Sequence, residues 1–302
     1  YLRLMEEAEW GIDMILKSRF DNGYRAQTWG TNLWTDGFIG TKDDTLRWRR
    51  ISVHNRAFEN FVYAGIEAYA SILQEKDQML KENLRKVAIE DFAFAKHRFD
   101  SLSFKDLSSI GGGGDHAAMA SNSQYKANIS FAASMLYKLT GDLYYAREAA
   151  EAIRYTIDCQ RTEPLKDKDK LRGFFYRDLE KKSIVHYTHQ SRDQTYMQAL
   201  TLLCETQPNH PDYNKWKASI RLYGDYLKTI MQYVQPYGMV PSGVYHIDEV
   251  KDSVNFYKVQ VGIFRGAGQD YKEQLENGVK LDQEHYLRVF PVWFSFKGNA
   301  AV

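Results

Sequence analysis

Residues 124–160 read QYKANISFAASMLYKLTGDLYYAREAAEAIRYTIDCQ, and this stretch decides the fold class. Apolar side chains recur at intervals of three and four on both sides of Thr140-Gly141-Asp142, which is the spacing of one face of an α-helix. Glycine and aspartate between two such faces indicate a short turn. The stretch therefore predicts two helices that pack as a hairpin. The apolar positions are Ile129, Ala132, Ala133, Leu136, Ala146, Ala149, Ala150, Ile153 and Ile157.

The same plan occurs twice more in the chain. Helical patterns over 57–73 and 79–99 flank the turn Glu75-Lys76-Asp77, and patterns over 193–206 and 213–234 flank a turn at 207–212. Connectors between the hairpins are long and rich in glycine, aromatic and charged residues. Short turns at one end and long loops at the other predict an all-α array, and the irregular spacing favours a closed α/α toroid over an open solenoid.

The rest of the chain gives weaker patterns. An amphipathic helix is predicted over 1–19, and Asn55 is expected to cap the helix that begins at 57. Residues 20–50 lack periodicity and predict a long loop. Residues 235–302 also lack it until 287–296, where we expect a loop that leads into a final helix.

Composition excludes several classes of function. Lys and Arg number 40 against 39 Asp and Glu, so no net field would attract nucleic acid or an anionic membrane. The apolar runs are shorter than a bilayer crossing requires, and Cys159 and Cys204 are expected to be buried free thiols. The chain begins with Tyr1 and stops at Val302 after a turn, which predicts a fragment or a processed chain.

Several stretches resemble one family of enzymes. Glu6-Glu7-Ala8-Glu9-Trp10-Gly11-Ile12-Asp13 is similar to the first helix of glycoside hydrolase family 9 and its six-hairpin relatives. The turn Tyr137-Lys138-Leu139-Thr140-Gly141-Asp142 resembles one common to (α/α)6 enzymes. Three later stretches resemble family-9-like proteins of bacteria that degrade polysaccharides. They are His189-Gln190-Ser191-Arg192-Asp193-Gln194, Pro236-Tyr237-Gly238-Met239-Val240-Pro241 and Phe290-Pro291-Val292-Trp293-Phe294.

The resemblance implies a fold and an activity. It implies one six-hairpin toroid domain over residues 1–302, incomplete at both ends, that hydrolyses glycosidic bonds in a bacterial periplasm or outside the cell. It also implies an Asp-Ala-Gly-Asp motif before the first helix and a glutamic acid near the far end of the barrel. The sequence contains neither, so the similarity places it in the central part of such a domain.

Two aspartates are the candidate catalytic acids within these residues. Inverting hydrolysis requires two carboxyl groups about 6.5–9.5 Å apart, one protonated and one ionised. Asp115 follows four glycines, which let a backbone approach a ligand closely, and Asp193 begins a helix. Alternatively, the glycines form a flexible linker and Asp193 caps its helix.

The stretch from Gly173 to Tyr196 holds a second group of candidates. His189 is a candidate acid or base, because imidazole transfers protons near neutral pH. His186, Tyr187 and Arg192 are predicted substrate contacts. No metal is predicted, because the histidines lack a third ligand at a known spacing. Alternatively, these side chains hydrogen-bond neighbouring loops.

Aromatic residues, 14% of the chain, supply the remaining candidates. Flat amphipathic rings stack on sugar faces, so Trp34, with Asp36 as a hydroxyl acceptor, is a predicted sugar contact. Tyr176 and Tyr237 are predicted contacts of the same kind. Alternatively, the tryptophans plug one end of the toroid, and the tyrosines pack helix against helix.

Three functions remain open from the sequence. The first is acid/base hydrolysis of a polysaccharide or oligosaccharide without a cofactor. The second is a toroid lyase or sugar epimerase that uses His189, Tyr187 and Arg192. The third is a helical protein that binds carbohydrate and turns nothing over.

Overall fold

A computed structural model describes residues 2–29, 51–108, 121–165, 171–185, 194–236, 238, 240–241, 243–246 and 279–288. Contacts divide the chain into two units, residues 1–106 and 107–302. The described residues are mostly helical, which confirms the helical part of the predicted fold class. Among these residues, no helix combines the length and the apolar character that a membrane crossing requires.

The first unit combines a helix hairpin with a two-stranded antiparallel sheet. The loop prediction is wrong for 25–29, which pair with 51–54. Two consecutive residues of this strand, the charged Arg25 and Ala26, are buried, so the alternation of apolar and polar residues that signals a strand is absent. The elements are α1 (Leu2–Lys17), a 3-10 turn (Asp21–Gly23), β1 (Arg25–Trp29), β2 (Ile51–His54), α2 (Ala57–Leu73), α3 (Gln78–Leu102) and the boundary helix α4 (Lys105–Ser108).

Helices α2 and α3 form the first predicted hairpin. Their apolar faces meet at Phe61 and Phe92, whose rings pack edge to face with centroids 5.2 Å apart. Asp77 caps α3 by accepting the N–H of Leu80 at 2.9 Å. The hairpin therefore forms where its periodicity predicts, although α3 runs from Gln78 to Leu102 where the pattern predicts 79–99.

The backbone N–H at the start of α2 finds its hydrogen-bond acceptor on a residue that follows α3. The N-cap position is held by Arg56, whose side chain makes no capping bond, so the prediction of Asn55 as the cap is wrong. Instead, the N–H of Ala57 donates to the Asp106 carboxylate at 2.7 Å, and Arg98 donates to the other oxygen at 2.7 Å. A distant carboxylate thus replaces the local cap.

A fully buried guanidinium lies at the centre of the first unit. Arg25 donates to Oε1 of Glu67 at 2.6 Å and also to the Asp91 carboxylate, and both acids are buried. Its other nitrogens donate to Asn60 Oδ1 at 3.2 Å and to the Ile15 carbonyl at 3.1 Å. Contacts of this cation therefore reach α1, α2 and α3.

In this cluster Glu67 shares its cation with a second carboxyl group. Arg19 donates to Asp91 at 2.8 Å and to Glu90 at 2.6 Å, Lys86 lies 3.9 Å from Glu90 at the surface, and Arg25 serves both Glu67 and Asp91. Burial, followed by repulsion from Asp91, raises the pKa of Glu67 to about 7, although Arg25 opposes the shift. Oε2 of Glu67 has no hydrogen-bond partner among the described residues.

The raised pKa of Glu67 predicts a loss of stability as pH rises. Folded protein holds a proton that the unfolded chain has already released, so stability falls from its ordinary pKa of 4.5 up to about 7. The total loss is about 3 kcal/mol, since one pKa unit corresponds to about 1.4 kcal/mol. Urea unfolding between pH 4 and 8 should show this slope in the wild type and lack it in Glu67→Gln. The exposed Glu82→Gln is the control, and parallel curves for wild type and Glu67→Gln would contradict the assignment.

The second unit contains the other two predicted hairpins. Helix α5 packs against both α6 and α7, and α7 packs against α8. A capping box of Ser121 and Gln124 begins α5, and Gly141 ends it in the left-handed conformation at φ 74°. The elements are α5 (Asn122–Thr140), α6 (Leu143–Asp158), α7 (Gln194–Thr206), α8 (Tyr213–Met231), a 3-10 turn (Gln232–Val234), β3 (Gly243–His246), β4 (Val279–Lys280) and β5 (His285–Arg288).

A small antiparallel sheet completes this unit in the order β3-β5-β4. The expected loop and final helix over 287–296 are wrong for residues 287 and 288, which belong to β5. The N–H of Val244 on β3 donates to the Tyr226 hydroxyl on α8 at 3.2 Å. The sheet is thus attached to the helices by a buried tyrosine.

The connector between α6 and α7, described over 159–165 and 171–185, is held in place by the buried side-chain amide of Gln160. Gln160 Nε2 donates to the carbonyls of Gly173 at 3.0 Å and Ser219 at 3.1 Å, and Ser219 Oγ donates to Gln160 Oε1 at 2.6 Å. Gly173 has φ 105°, and a Cβ there would lie 2.4 Å from the Leu222 carbonyl oxygen. Only glycine allows the connector to approach α8 this closely.

Replacing this glycine should destabilise the protein. Gly173→Ala combines a positive φ, which costs about 1–3 kcal/mol, with a backbone clash. Gly224→Ala is the matched control, because a Cβ at Gly224 on α8 meets nothing within 4 Å. In that control, alanine should stabilise the helix by about 0.5–1 kcal/mol. The free energy of unfolding is measured in urea. A value for Gly173→Ala equal to or above that of the wild type would show that the connector does not need a glycine against α8.

Candidate functional site

Tyr176 is the predicted site residue that the described part of the chain includes. Its side chain is buried, and its hydroxyl accepts a hydrogen bond from Arg161 at 3.1 Å. Its ring packs edge to face on Phe174, with centroids 5.5 Å apart. A role of Tyr176 in binding substrate stays a prediction. Outside the described residues lie Trp34, Asp36, Asp115, His186, Tyr187, His189, Arg192, Asp193 and Tyr237.

Aromatic side chains around Tyr176 form the core between the connector and α7 and α8. Phe175 stacks on Tyr196 with centroids 4.3 Å apart, and the Tyr196 hydroxyl lies 2.8 Å from Ser123 Oγ. Phe174, Tyr223 and Tyr226 continue this cluster, which lines a cavity of about 30 Å³. That volume suits a water molecule and is too small for a sugar ring.

A larger groove of about 350 Å³ lies within the first unit, between α1, α2 and α3. It is lined by apolar residues, with Glu9, Tyr69 and Gln74 as its polar members. A sugar presents a hydroxyl on nearly every carbon, and so many hydroxyls would find few partners there. The groove therefore does not have the chemistry of a carbohydrate site.

The turn between β4 and β5 brings an acid and a histidine together. Asp282 Oδ1 accepts the backbone N–H groups of Glu284 at 2.8 Å and His285 at 2.7 Å. The same carboxylate lies 2.9 and 3.0 Å from Nδ1 of the His285 ring. One side chain therefore shapes the turn and fixes the orientation of the imidazole.

Three further groups surround this imidazole. His246 lies opposite His285 in the β3–β5 register, and the two rings meet edge to face at 5.2 Å. The ring of Phe174 lies 6.5 Å away on another side. The Glu284 carboxylate, which is exposed, lies 3.9 Å from Nε2 of His246. The side chains of Asp282 and His285 are 9% and 8% exposed and that of His246 is 20% exposed, so the pair is buried and His246 is its more accessible neighbour.

Electrostatics keep the Asp282 carboxylate charged. Burial raises the pKa of this group, but hydrogen bonds from the backbone of Glu284 and from His285 outweigh burial and hold the pKa below its usual value. An ionised carboxylate against Nδ1 favours the proton on that nitrogen and leaves Nε2 as the proton-transfer atom. No described residue bonds to Nε2 of His285. The arrangement has the chemistry of a general base.

Thiol and metal chemistry find less support in the described residues. Burial raises the pKa of Cys159 to about 12 and also raises that of Cys204, so neither thiol is a ready nucleophile. No group of three or more His, Cys, Asp or Glu in the described ranges could hold a metal ion. Cys159 is buried and free as predicted, while Cys204 is half-buried.

Comparison with known proteins does not assign this chain to a family. No protein-family model matches it, and a search of curated proteins also finds no match.

The pair of Asp282 and His285 was missed by the sequence analysis. Both residues lie in the segment 235–302, which lacks helical periodicity. An aspartate three residues before a histidine, between two short apolar alternations, is a signal that could have indicated a hairpin turn with an oriented imidazole.

The Arg161 contact allows the role of Tyr176 to be tested. Tyr176→Phe removes the hydroxyl that accepts from Nη1 of Arg161, while Nε and Nη2 keep their carbonyl partners, so the unfolding free energy should fall by about 1–2 kcal/mol. Tyr233→Phe, in the 3-10 turn after α8, is the control. Urea unfolding measures the loss. An unchanged stability together with a raised KM on an oligosaccharide would favour substrate binding over a structural role.

Proposed function

We propose that the chain acts on a polysaccharide or oligosaccharide and breaks a glycosidic bond by acid/base hydrolysis. We further propose that it belongs to a single α/α-toroid domain similar to glycoside hydrolase family 9, in a bacterial periplasm or outside the cell. The observation that carries this proposal is the repeated helix hairpin. Three hairpins, α2–α3, α5–α6 and α7–α8, each have a short turn, and the connectors between successive hairpins are long.

The chemistry of this proposal rests on carboxyl groups. Asp115 and Asp193 are the proposed acid and base, and Trp34 and Asp36 are proposed to hold a sugar ring. Hydrolysis with inversion would use one carboxyl to protonate the leaving oxygen and the other to activate water.

A second candidate function is proton abstraction by a lyase or an epimerase. The observation that favours it is the imidazole of His285 oriented by Asp282. His189, Tyr187 and Arg192 are further candidates for such chemistry from the sequence. In a uronic-acid chain, a cation would neutralise the carboxylate and a base would remove the adjacent proton.

Product analysis on a panel of polysaccharides separates the candidates. Hydrolysis releases reducing sugar without a new ultraviolet absorbance, whereas elimination produces an unsaturated sugar that absorbs. Binding of oligosaccharide without turnover would identify a non-catalytic protein and overturn both enzymatic proposals.

The carboxylate assignment predicts a kinetic signature. On the substrate that the panel identifies, Asp115→Asn and Asp193→Asn should each lower kcat by about 10²–10⁴-fold with little change in KM, because general acid/base catalysis contributes that factor. Asp225→Asn, an exposed position on α8, is the control. Reducing-sugar assays that give wild-type kcat for both variants would show that other groups carry the reaction.

A further inference from the structure

The groove of about 350 Å³ between α1, α2 and α3 has no part in the chemistry proposed above. We propose that it is a binding site for a small apolar molecule of about two fused rings that carries an ammonium group. This inference does not depend on the proposed function, because the lining of the groove lacks the polar groups that a saccharide requires.

The groove has room for a ligand because small residues line it. Gly11 lies in the middle of α1, where glycine destabilises a helix relative to alanine. A Cβ added at this position would meet nothing within 4 Å. Ala8 on the same helix and Ala70 on α2 are the other small residues of the lining. Gly11 therefore neither favours the helix nor fills space, and it leaves room beside the apolar side chains.

Hydrogen bonds at its C-terminal end hold α1 in place beside this room. The Ile15 carbonyl accepts from Arg25 Nη1 at 3.1 Å and from Ser18 Oγ at 2.8 Å. The N–H of Ala26 on β1 donates to the Ser18 carbonyl at 2.8 Å. The end of α1 is thus fixed to the strand, while its earlier turns form one wall of the groove. A wall fixed in this way suits the preformed pocket that small molecules usually occupy.

The volume and the lining together define the body of the ligand. Small-molecule sites measure about 300–1,000 Å³ and are lined mainly by apolar side chains. A cavity of about 150 Å³ with such a lining holds one benzene ring. The groove, with Ile12, Ile66 and Leu84 in its lining, has more than twice this volume. An apolar body of about two rings therefore fits it.

The available polar groups define the rest of the ligand. Glu9 is the charged residue of the lining, and neither its carboxylate nor the Tyr69 hydroxyl has a hydrogen bond or an ion pair among the described residues. Gln74 is already engaged, because its Oε1 accepts the N–H groups of Lys76 at 3.0 Å and Asp77 at 3.1 Å. The two available oxygens can both accept from an ammonium group.

The exposure of these two side chains places the charge of the ligand at the edge of the groove. Glu9 is exposed, and Tyr69 is 44% exposed. The rings would then leave water while the ammonium group stays partly solvated, which avoids the cost of burying a charge. A fatty acid of similar size would instead bring a negative charge to Glu9, which would repel it.

Calorimetric titration of the full chain with three probes tests the class of ligand. 1-Naphthylmethylamine, 1-naphthylmethanol and 1-naphthylacetate share two fused rings and are cationic, neutral and anionic near neutral pH. The amine should bind about 2–5-fold more tightly than the alcohol, which is the gain that an exposed ion pair provides, and the acetate should bind most weakly. In Glu9→Gln the amine and the alcohol should bind equally. Equal affinities of the amine and the acetate for the wild type, or no binding of any probe, would overturn the proposal.

The variant Gly11→Leu tests the position of the site. Leucine fills the room beside α1 and favours the helix, so the melting temperature should rise while the affinity for the amine falls at least about 10-fold. Ala93→Leu, at an exposed position of α3 outside the lining, is the matched control and should bind the amine as the wild type does. Wild-type affinity in Gly11→Leu would show that the amine binds elsewhere. If Gly11→Leu does not fold, the exposed Glu9→Gln still decides the question.

Sedimentation velocity distinguishes a ligand from a second copy of the chain in the groove. The wild type should sediment with the same coefficient at every protein concentration. Self-association that increases with concentration in the wild type and is lost in Gly11→Leu would show that another copy covers the groove. That result would overturn the proposal.

Discussion

A guanidinium buried away from water must be neutralised, and this requirement holds the first unit together. Arg25 lies on β1, but its partners lie on α2 and α3, and a further acceptor is the last turn of α1. Removing one partner from such a cluster leaves an uncompensated charge, which costs about 3–5 kcal/mol. The network therefore fixes which helix faces meet the strand, a choice that apolar packing alone would leave open.

Buried polar groups have the same role in the second unit, and those that hold the connector after α6 are neutral. The Gln160 amide joins the connector to α8, and the Ser123 hydroxyl donates to the Tyr176 carbonyl at 2.8 Å. Aromatic rings fill the space between these bonds. Because each bond has a fixed geometry, the connector adopts one path over the helices, and that path places Phe174 against the hairpin of β4 and β5.

The position of that hairpin gives the candidate site its chemistry. In an isolated turn, an aspartate and a histidine three residues apart would both be solvated, and water would compete for the hydrogen bond between them. Here the β3 strand places His246 on one side and the connector places Phe174 on another, so the pair is largely shielded. A shielded carboxylate interacts more strongly with an imidazole than a solvated one does.

The sequence by itself determined the helices, because a helix face repeats every three to four residues and each turn carries its own glycine, proline or aspartate signal. It also determined which helices pair as hairpins, because two helices joined by a short turn pack against each other. Only the tertiary structure decided the strand at Arg25, the Asp106 cap of α2 and the shielded pair of Asp282 and His285. Each depends on a charged or polar group whose partner or cover lies on a distant segment, and no local pattern records which distant group will satisfy it.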